Sequence, residues 1–445
     1  MALRHIATVA LLLLAVGQPA AQQPAVVFEH VNLVPMDSER VLSDAFLLVS
    51  GGSIITLGSG GEYKGTLPQG TVRIDGRGKY LMPALAEMHA HIPNDPAEAE
   101  RVLFMYVANG IGTIRSMLGD PSHFRLRDRV RKGEIVGPTM ILSGPSFNGQ
   151  TAATPAAGAA RVAEQKKAGY DFLKIHPGIP LTAFNALAAA ADKAAIRFAG
   201  HVPADVGLQR ALQAKFWTID HLDGYVEALA GPGAPASQNF GVNLMSRLDE
   251  SRVAGLAKQT AAAGVWNVPT QILLENWYGP DSADVMMKRS EMQYVRPAEA
   301  AQWVSTKRGN DTAVSAQDRA KFVAVRRRLI KALQDSGAGL LLGSDAPQVW
   351  NVPGFSIHRE LASYVASGLT PYQALATGTK NVATHLGLPD TGAVVSKGRS
   401  DLVLLDANPL ENIANTSRIA GVMIHGRWIP KAEIDRRLAQ LVQSR

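Results

Sequence analysis

The sequence predicts an α/β fold built on a closed (β/α)8 TIM barrel, with β-rich segments at both ends of the chain. Two observations support this prediction. Between residues 83 and 390, short apolar segments alternate with alanine-rich segments of helical character, which is the pattern of βα units around a parallel sheet. Eight such apolar segments occur there, and eight strands are the number that a closed barrel of this kind needs.

The composition indicates a large globular protein without a polyanionic partner. The chain has 445 residues, of which 46% are hydrophobic, so it can bury the core of a barrel and of a smaller domain. Cysteine is absent, which excludes disulfides, thiolate metal ligands and a cysteine nucleophile. The net charge is +7, but the basic clusters at residues 125–132 and 326–331 have helical spacing and no interleaved aromatic residues. We therefore expect solvent-exposed helix faces there and no nucleic-acid partner.

The first residues resemble a secretory signal peptide at residues 1–21. Arg4 and His5 precede an apolar run at residues 6–16, and small residues follow at 17–21. A retained membrane anchor is the alternative, but this run is short for a membrane span and no later run is longer. The expected mature protein is periplasmic or secreted and has no stable membrane span.

The predicted elements follow in order along the chain. Alternating apolar runs separated by glycine-rich turns predict the β-strands of a first β-rich segment at residues 25–82. The barrel region covers residues 83–390, with predicted strands at 84–89, 112–117, 139–143, 171–176, 196–201, 217–221, 265–271 and 339–344. A second β-rich segment spans residues 391–430, and a terminal helix spans residues 431–445.

Six residues that can form a metal site lie at the carboxyl ends of predicted barrel strands one, four, five, six and eight. They are His89, His91, Lys174, His201, His221 and Asp345. His89 and His91 are two positions apart, so on a strand they project from the same face. Because the active residues of such barrels lie at the carboxyl ends of the strands, we expect all six to converge.

The segment PALAEMHAH at residues 83–91 resembles the motif P-G-L-I-D-x-H-x-H of the amidohydrolase superfamily, with Ala84 and Glu87 replacing its Gly and Asp. The order H-x-H, Lys, His, His, Asp is similar to the ligand order of that superfamily. Near the other end, Lys397, Gly398 and Asp401 stand in a segment similar to its closing motif G-x-x-x-x-G-K-x-A-D-L-V. The resemblance is to the imidazolonepropionase-like and Xaa-Pro dipeptidase-like branch, and it implies that both β-rich ends form one small β-sandwich domain.

The resemblance also implies a centre with two divalent metal ions. In that arrangement His89, His91 and Asp345 bind one ion, and His201 and His221 bind the second. Zinc is the expected metal because imidazole and carboxylate ligands suit Zn²⁺, although Mn²⁺, Fe²⁺ and Co²⁺ also accept them.

Lys174 would join the two ions after reaction with CO2, because the resulting carbamate is a bidentate anion whereas an ammonium group would repel both cations. A hydroxide that bridges the metals would then attack an amide carbonyl. Asp345 would take the proton of the nucleophile and later give it to the departing nitrogen, so it is the predicted proton shuttle.

Four further residues are candidates for substrate binding, each with a structural alternative. Arg115 suits a substrate carboxylate but equally suits an ion pair inside the barrel. His176 shares a strand face with Lys174, and Tyr225 follows the sixth strand, where its hydroxyl could stabilise an oxyanion. His358 begins the sequence H-R-E-L, which is similar to a segment of the same branch, and it either touches substrate or packs beneath the site.

Two connections at the carboxyl ends of the predicted strands are long, at residues 144–158 and 276–316. The second contains four aromatic residues, Trp277, Tyr278, Tyr294 and Trp303. Both connections are predicted to form the wall of a substrate pocket or a lid. Packing of the aromatic residues in an oligomer interface is an equal alternative.

The predicted function is that of an exported amidohydrolase that cleaves a C–N bond in a small-molecule or peptide-like substrate such as an amide, a peptide or a cyclic amide. One alternative keeps the metals but changes the reaction to lactone hydrolysis, phosphotriester hydrolysis or deamination. Another is a non-catalytic metal-binding scaffold. The sequence has no G-x-S-x-G, Walker A or H-E-x-x-H motif, and it leaves the number of subunits open, with a homo-oligomer as one alternative.

Overall fold

The computed structural model describes residues 23–443, so the predicted signal peptide at residues 1–21 lies outside the described residues. Within this range the chain forms fifteen strands and fifteen α-helices. The strands are β1 (Val26–Leu33), β2 (Leu42–Ser50), β3 (Ser53–Ser59), β4 (Val72–Asp75), β5 (Tyr80–Pro83), β6 (Leu85–Ala90), β7 (Ile111–Ser116), β8 (Thr139–Leu142), β9 (Leu173–Ile175), β10 (Phe198–Gly200), β11 (Thr218–Asp220), β12 (Trp266–Val268), β13 (Leu402–Leu405), β14 (Ile419–Ile424) and β15 (Arg427–Pro430). The helices are α1 (Pro96–Ala108), α2 (Ser122–Arg131), α3 (Pro155–Ala168), α4 (Leu181–Lys193), α5 (Gly207–Gln213), α6 (Tyr225–Ala230), α7 (Val253–Ala263), α8 (Gln271–Tyr278), α9 (Ala283–Met286), α10 (Pro297–Ala313), α11 (Ala316–Asp335), α12 (Phe355–Ala366), α13 (Pro371–Thr377), α14 (Lys380–Leu386) and α15 (Lys431–Gln443).

Strands from both ends of the chain join in one sheet of eight strands. Its order is β15-β14-β13-β5-β1-β2-β3, and β4 pairs with β1. The two ends meet where β13 pairs antiparallel with β5, with Leu404 opposite Leu81. Both faces of this sheet carry buried apolar side chains, with Phe28, Leu47 and Leu404 in one core cluster and Val403 and Val422 in another. The sheet therefore unites both β-rich segments, and their arrangement as a two-layer sandwich stays a prediction.

Between these segments lie two parallel sheets, which confirm the predicted α/β class. One sheet has the order β6-β7-β8 and the other has the order β12-β11-β10-β9. Helices connect successive strands within each sheet, as right-handed βα units require. Because all strands of a sheet run in one direction, their carboxyl ends, which carry the candidate ligands, meet at one edge.

The edges of the two parallel sheets are linked by backbone hydrogen bonds on both sides. On one side Phe147 N–H donates to Lys174 O (2.8 Å), and Asp171 N–H donates to Leu142 O (2.9 Å). On the other side the segment at residues 339–346 lies between β6 and β12. There Met88 N–H donates to Leu342 O and Asn267 N–H donates to Gly339 O, both at 2.8 Å.

The predicted eighth strand at residues 339–344 is not a regular strand, and Glu87 supplies the physical reason. Its buried carboxylate accepts the backbone N–H groups of His89 (3.0 Å) and Ser344 (2.8 Å). These two groups therefore bond to a side chain and do not extend a ladder between the two backbones. Only isolated bridges remain along this segment, such as that between Asn267 and Leu340.

The connection at residues 276–316 consists mainly of helices, from the end of α8 to the start of α11. Ser282 and Ser315 cap two of these helices. Tyr278, Tyr294 and Trp303 are buried and stabilise the packing of this helical layer, and the ring of Trp303 lies 5.8 Å from that of Trp350. The ring of Trp277 lies 5.8 Å from that of Phe240. The role of this connection as a pocket wall, a lid or an oligomer interface stays a prediction.

The prediction that residues 326–331 form a solvent-exposed basic face is wrong at Arg326. This side chain on α11 is fully buried, whereas Arg328 is more than half exposed. A charged group in the interior needs hydrogen-bond partners, and Arg326 finds them in the backbone beside the candidate ligands. No helix among residues 23–443 is long and apolar enough to cross a bilayer.

Candidate metal centre

The structure brings the candidate histidines and Asp345 together at the carboxyl edge of the parallel sheets. The ring centres of His201 and His221 are 4.5 Å apart, and those of His89 and His221 are 4.6 Å apart. His91 Nε2 lies 2.8 Å from Asp345 Oδ1. Ligand atoms of His89, His91 and Asp345 all lie within 4.8 Å of one another, a separation that a single metal ion spans.

Lys174 belongs to the same group of residues but differs from them in its surroundings. It lies on β9, it is fully buried, and its Nζ has no hydrogen-bond partner within residues 23–443. Burial lowers the pKa of this amine, and the nearby guanidinium of Arg115 lowers it further, against the opposing effect of Asp220 and Asp345. A buried amine without a partner is costly, so the site fits a modification that converts this amine into a metal ligand.

Each of three histidines has its Nδ1 beside an oxygen of a neighbouring side chain. His89 Nδ1 lies 2.7 Å from Asp220 Oδ2, and His201 Nδ1 makes a 2.7 Å hydrogen bond with Asp223 Oδ2. His221 Nδ1 makes a hydrogen bond of the same length with Thr270 Oγ1. A proton on Nδ1 leaves the lone pair on Nε2, so each ring offers Nε2 to a metal ion, as is usual for ligating histidines.

The protonation of these groups also suits metal binding. Burial lowers the pKa of His89 and of His221 well below the ordinary value, and the guanidinium groups of Arg115 and Arg326, respectively, lower these pKa values further. Both imidazoles are therefore neutral near pH 7 and able to donate a lone pair. Burial alone would raise the pKa of Asp345, but its hydrogen bond with His91 and nearby positive charge outweigh burial and hold that pKa below its usual range.

Left-handed backbone marks three positions around the centre. His221 has φ +62°, Thr270 has φ +45° and Asp345 has φ +63°, although none of the three is glycine. Such a conformation costs about 1–3 kcal/mol per residue and persists only where the surroundings enforce it. The fold therefore holds these side chains at angles that an unconstrained chain would avoid.

The four predicted substrate-binding residues occupy very different places. His176 lies beside the centre, with its ring 5.2 Å from that of His201, and burial lowers its pKa to about 3. Arg115 is fully buried, and it donates to Met88 O (2.7 Å) and pairs with Asp220 (3.3 Å), so it forms the internal ion pair that was its alternative.

Tyr225 and His358 both have hydrogen-bond partners in the protein interior. The Tyr225 hydroxyl is fully buried and makes a 2.8 Å hydrogen bond with Thr260 on α7. His358 Nδ1 bonds to Thr416 Oγ1 (3.0 Å) in the closing part of the chain. Burial lowers the pKa of His358 to about 4, as expected for an imidazole packed in the interior. Substrate contact by these two residues stays a prediction.

Sequence reasoning missed the residues that orient the histidines. Asp220 and Asp223 flank His221 in the segment IDHLD. Because both carboxylates lie so close in sequence to a candidate ligand, the sequence could have indicated them as partners of the histidine rings. Thr270 and Arg326 gave no such signal, because they lie far along the chain from His221. Only the folded arrangement shows that both contact this residue.

A cleft of about 740 Å³ opens beside His201. Its wall is largely apolar and includes Val202, Pro203 and Phe240, while Asp223 and Glu227 contribute carboxylates. The Phe240 ring lies 5.5 Å from that of His221, so the cleft reaches the centre directly. An apolar cleft with a few polar groups is the usual form of a small-molecule site.

Comparison with known proteins gives a consistent result. The sequence profile of the amidohydrolase family matches residues 80–429. No curated protein matches the chain. Three similar solved structures are a bottromycin amidohydrolase (TM-score 0.71, 22% identity, covering 94% of this chain and 90% of that one), a putative prolidase from Bifidobacterium longum (0.66, 21%, 94% and 99%) and a Xaa-Pro dipeptidase with bound methionine (0.64, 18%, 91% and 100%). At these identities the structural likeness concerns the fold.

We predict that Asp223→Asn weakens metal binding by about 10- to 100-fold, because the Nδ1 of His201 loses a charged acceptor that fixes its orientation. The measurement is a zinc titration of metal-free protein against a chelator of known affinity. Asp335→Asn is the matched control, since Asp335 is exposed and pairs with Lys331 on its own helix. Equal zinc affinity in both variants would contradict the role of Asp223.

A second prediction concerns Gly200, which precedes His201 with φ +123°. A Cβ at this position would lie 2.9 Å from Lys174 Cδ and 2.5 Å from Ile175 O, so Gly200→Ala should displace Lys174 and reduce bound metal. Gly264→Ala separates this effect from backbone strain, because Gly264 has φ +69° and open space around it. The control should lose about 1–2 kcal/mol of stability, measured by urea unfolding, with unchanged metal content.

Proposed function

The chain belongs to the amidohydrolase family, and from this premise we propose that it is a binuclear metal-dependent enzyme that hydrolyses the C–N bond of an amide, a peptide or a cyclic amide. One observation carries the proposal. Four histidines, a buried lysine amine and an aspartate from distant parts of the chain gather at one edge of the parallel sheets, and three of the imidazoles have their Nδ1 beside a side-chain oxygen.

The proposal includes the closure of the two parallel sheets into one eight-stranded barrel. The irregular segment at residues 339–346 takes the place of the eighth strand between β6 and β12. Its support is the backbone hydrogen bonds on both sides of the segment and the bridges between the strand ends near Ser143 and Phe172. A closed barrel would place all six candidate ligands around a single mouth.

The residues fit two divalent metal ions. His89, His91 and Asp345 would hold the first ion, and His201 and His221 would hold the second. We propose zinc, because imidazole nitrogen and carboxylate oxygen are its common ligands in proteins without thiolates. The neutral amine of Lys174 would add to CO2 and lose a proton, and the resulting carbamate would bridge the two ions. The isolated, buried Nζ supports this assignment.

Two bound cations supply an activated water and polarise the carbonyl oxygen of the substrate. The chain supplies the proton transfer. Asp345 lies at the centre with Oδ1 2.8 Å from His91 Nε2 and 3.6 Å from His89 Nε2. From this position it would accept the proton of the attacking water and return it to the leaving nitrogen, as general base and then general acid.

The cleft beside His201 is the proposed substrate site. Its apolar wall suits a substrate with a bulky hydrophobic group next to the scissile amide. Phe240 lines the cleft with its ring 5.5 Å from that of His221, where it would exclude water from the reacting carbonyl. Similar structures include a molinate hydrolase, a prolidase and a bottromycin amidohydrolase, whose names describe varied C–N bonds.

We predict that the zinc-loaded protein hydrolyses amides in a panel of dipeptides, N-acyl amino acids and cyclic amides, and that Asp345→Asn lowers kcat by about 10²- to 10⁴-fold through loss of the proton shuttle. Amine release is measured for each compound, and metal content is measured by elemental analysis. Asp345→Asn should keep much of its metal, since an amide oxygen can still coordinate.

Asp284→Asn serves as the control, because Asp284 is exposed and pairs with Arg308 on the surface. A panel that also contains lactones, phosphotriesters and nucleobases tests the reaction class. Turnover of esters alone would overturn the proposed C–N specificity, and an active Asp345→Asn enzyme would contradict the proton-shuttle role.

We further propose that the protein is exported, on the basis of the signal-like residues 1–21. Expressed with its full sequence in a Gram-negative host, the protein should be recovered from the periplasmic fraction without about its first twenty residues. Edman sequencing of the purified protein identifies the new first residue. Recovery of the intact chain in the cytoplasmic fraction would contradict export.

A further inference from the structure

The ligand His221 is held by a buried structure that lies outside the metal centre. We propose that Arg326 on α11 and Glu360 on α12 form a clamp on the turn at residues 269–271, and that this clamp positions His221 for the second metal ion. The inference rests on the proposed binuclear function. It assigns Arg326 and Glu360 as positioning residues of one ion site, although neither can touch the metals.

Arg326 uses all three of its guanidinium nitrogens on this turn and on His221. Its Nη1 donates to His221 O (2.7 Å), its Nη2 donates to Pro269 O (2.9 Å) and its Nε donates to Gln271 Oε1 (3.0 Å). The side chain is fully buried, so these bonds are not exchanged for water. A planar guanidinium fixes the relative positions of its three acceptors, and a lysine could not reproduce this geometry.

Glu360 holds the same turn from the other side. Its two carboxylate oxygens accept the backbone N–H groups of Gln271 (2.8 Å) and Ile272 (2.6 Å) at the start of α8. Glu360 is also fully buried. The first N–H groups of a helix have no partner within the helix, so this carboxylate fixes where α8 begins.

Thr270 lies between these two sets of bonds and is therefore fixed at φ +45°. Its hydroxyl donates to Pro269 O (2.8 Å), which Arg326 also contacts. Because the hydroxyl proton is used in this way, Thr270 Oγ1 must accept the proton of His221 Nδ1 (2.7 Å). The clamp thus selects the Nδ1–H form of His221 and turns its Nε2 lone pair towards the second ion.

The clamp acts on one of the two proposed ion sites. Its hydrogen bonds reach His221 and the turn after β12. His89 is instead held by Asp220, and His91 packs with His89 at a ring distance of 5.5 Å. A disturbed clamp should therefore weaken the ion at His201 and His221 and leave the ion at His89, His91 and Asp345 in place.

The test uses three variants of the full chain, Arg326→Met, Glu360→Gln and Thr270→Val. Arg328→Met is the matched control, because Arg328 lies on the same helix but is exposed and pairs with Glu250. Zinc affinity and stoichiometry are measured by titration against a chelator. The ¹⁵N signals of the labelled histidine rings, assigned with His→Asn substitutions, report the tautomer of His221 with and without zinc.

We expect the wild type and Arg328→Met to bind two zinc ions, and each clamp variant to bind the second ion about 10- to 100-fold more weakly. In the variants, the His221 ring should lose its single Nδ1–H form, while His89 should keep its zinc-induced shift. Thr270→Val keeps the side-chain shape at position 270 and leaves Arg326 and Glu360 unchanged. It therefore tests the inference even if Arg326→Met fails to fold.

Unchanged affinity for both ions in all three variants would overturn the clamp and leave the proposed function intact. Equal loss of both ions would also overturn it, since the clamp would then serve stability in general. A wild type that binds fewer than two ions would instead overturn the binuclear function. In that case the tautomer of His221 still tests the clamp. A single Nδ1–H form in the wild type that is lost in Thr270→Val would support the clamp. An identical spectrum in the two proteins would overturn it.

Discussion

The buried carboxylate of Asp220 is the constraint on which the centre depends. It lies on β11, yet it contacts His89 from β6 and Arg115 from β7, so one side chain links the two parallel sheets through their interior. Thr218 Oγ1 also donates to it (2.5 Å), and the Arg115 guanidinium lies over the Phe172 ring at 5.4 Å. Removing one partner of such a buried pair costs about 3–5 kcal/mol. The same contact therefore aligns a ligand and holds the sheets in register.

This arrangement also explains the electrostatics of the centre. The guanidinium groups of Arg115 and Arg326 are buried near His89 and His221. The carboxylates of Asp220 and Asp223 compensate the positive charge of these two guanidinium groups. Protonated imidazoles would be repelled by these cations and poorly solvated. His89 and His221 are therefore neutral ligands before any metal binds, and much of the free-energy cost of arranging them is met during folding.

The irregular backbone around the centre follows from the same demand for fixed geometry. Glu87 interrupts the pairing between β6 and residues 339–346, and Asp345 follows directly in a left-handed conformation. A regular strand would alternate its side chains between the two faces and could not turn Asp345 in this way. The departure from a regular eighth strand thus places the proposed proton shuttle beside His91.

The α/β class and the convergence of the four histidines and Asp345 could be predicted from the sequence, because periodicity and strand-end position are local properties of the chain. His89 and His91 needed only the alternation of a strand. The roles of Thr270 and Arg326 could not be predicted, since the sequence does not show whether a threonine or an arginine lies in a loop, on a solvated helix or in a buried network. Hydrogen bonds between residues as distant as His221 and Arg326 exist only after the chain has folded. The sequence by itself determined which side chains can bind metal, and the tertiary structure decided which nitrogen each histidine presents, because that choice is made by the neighbour that packing brings to the other nitrogen.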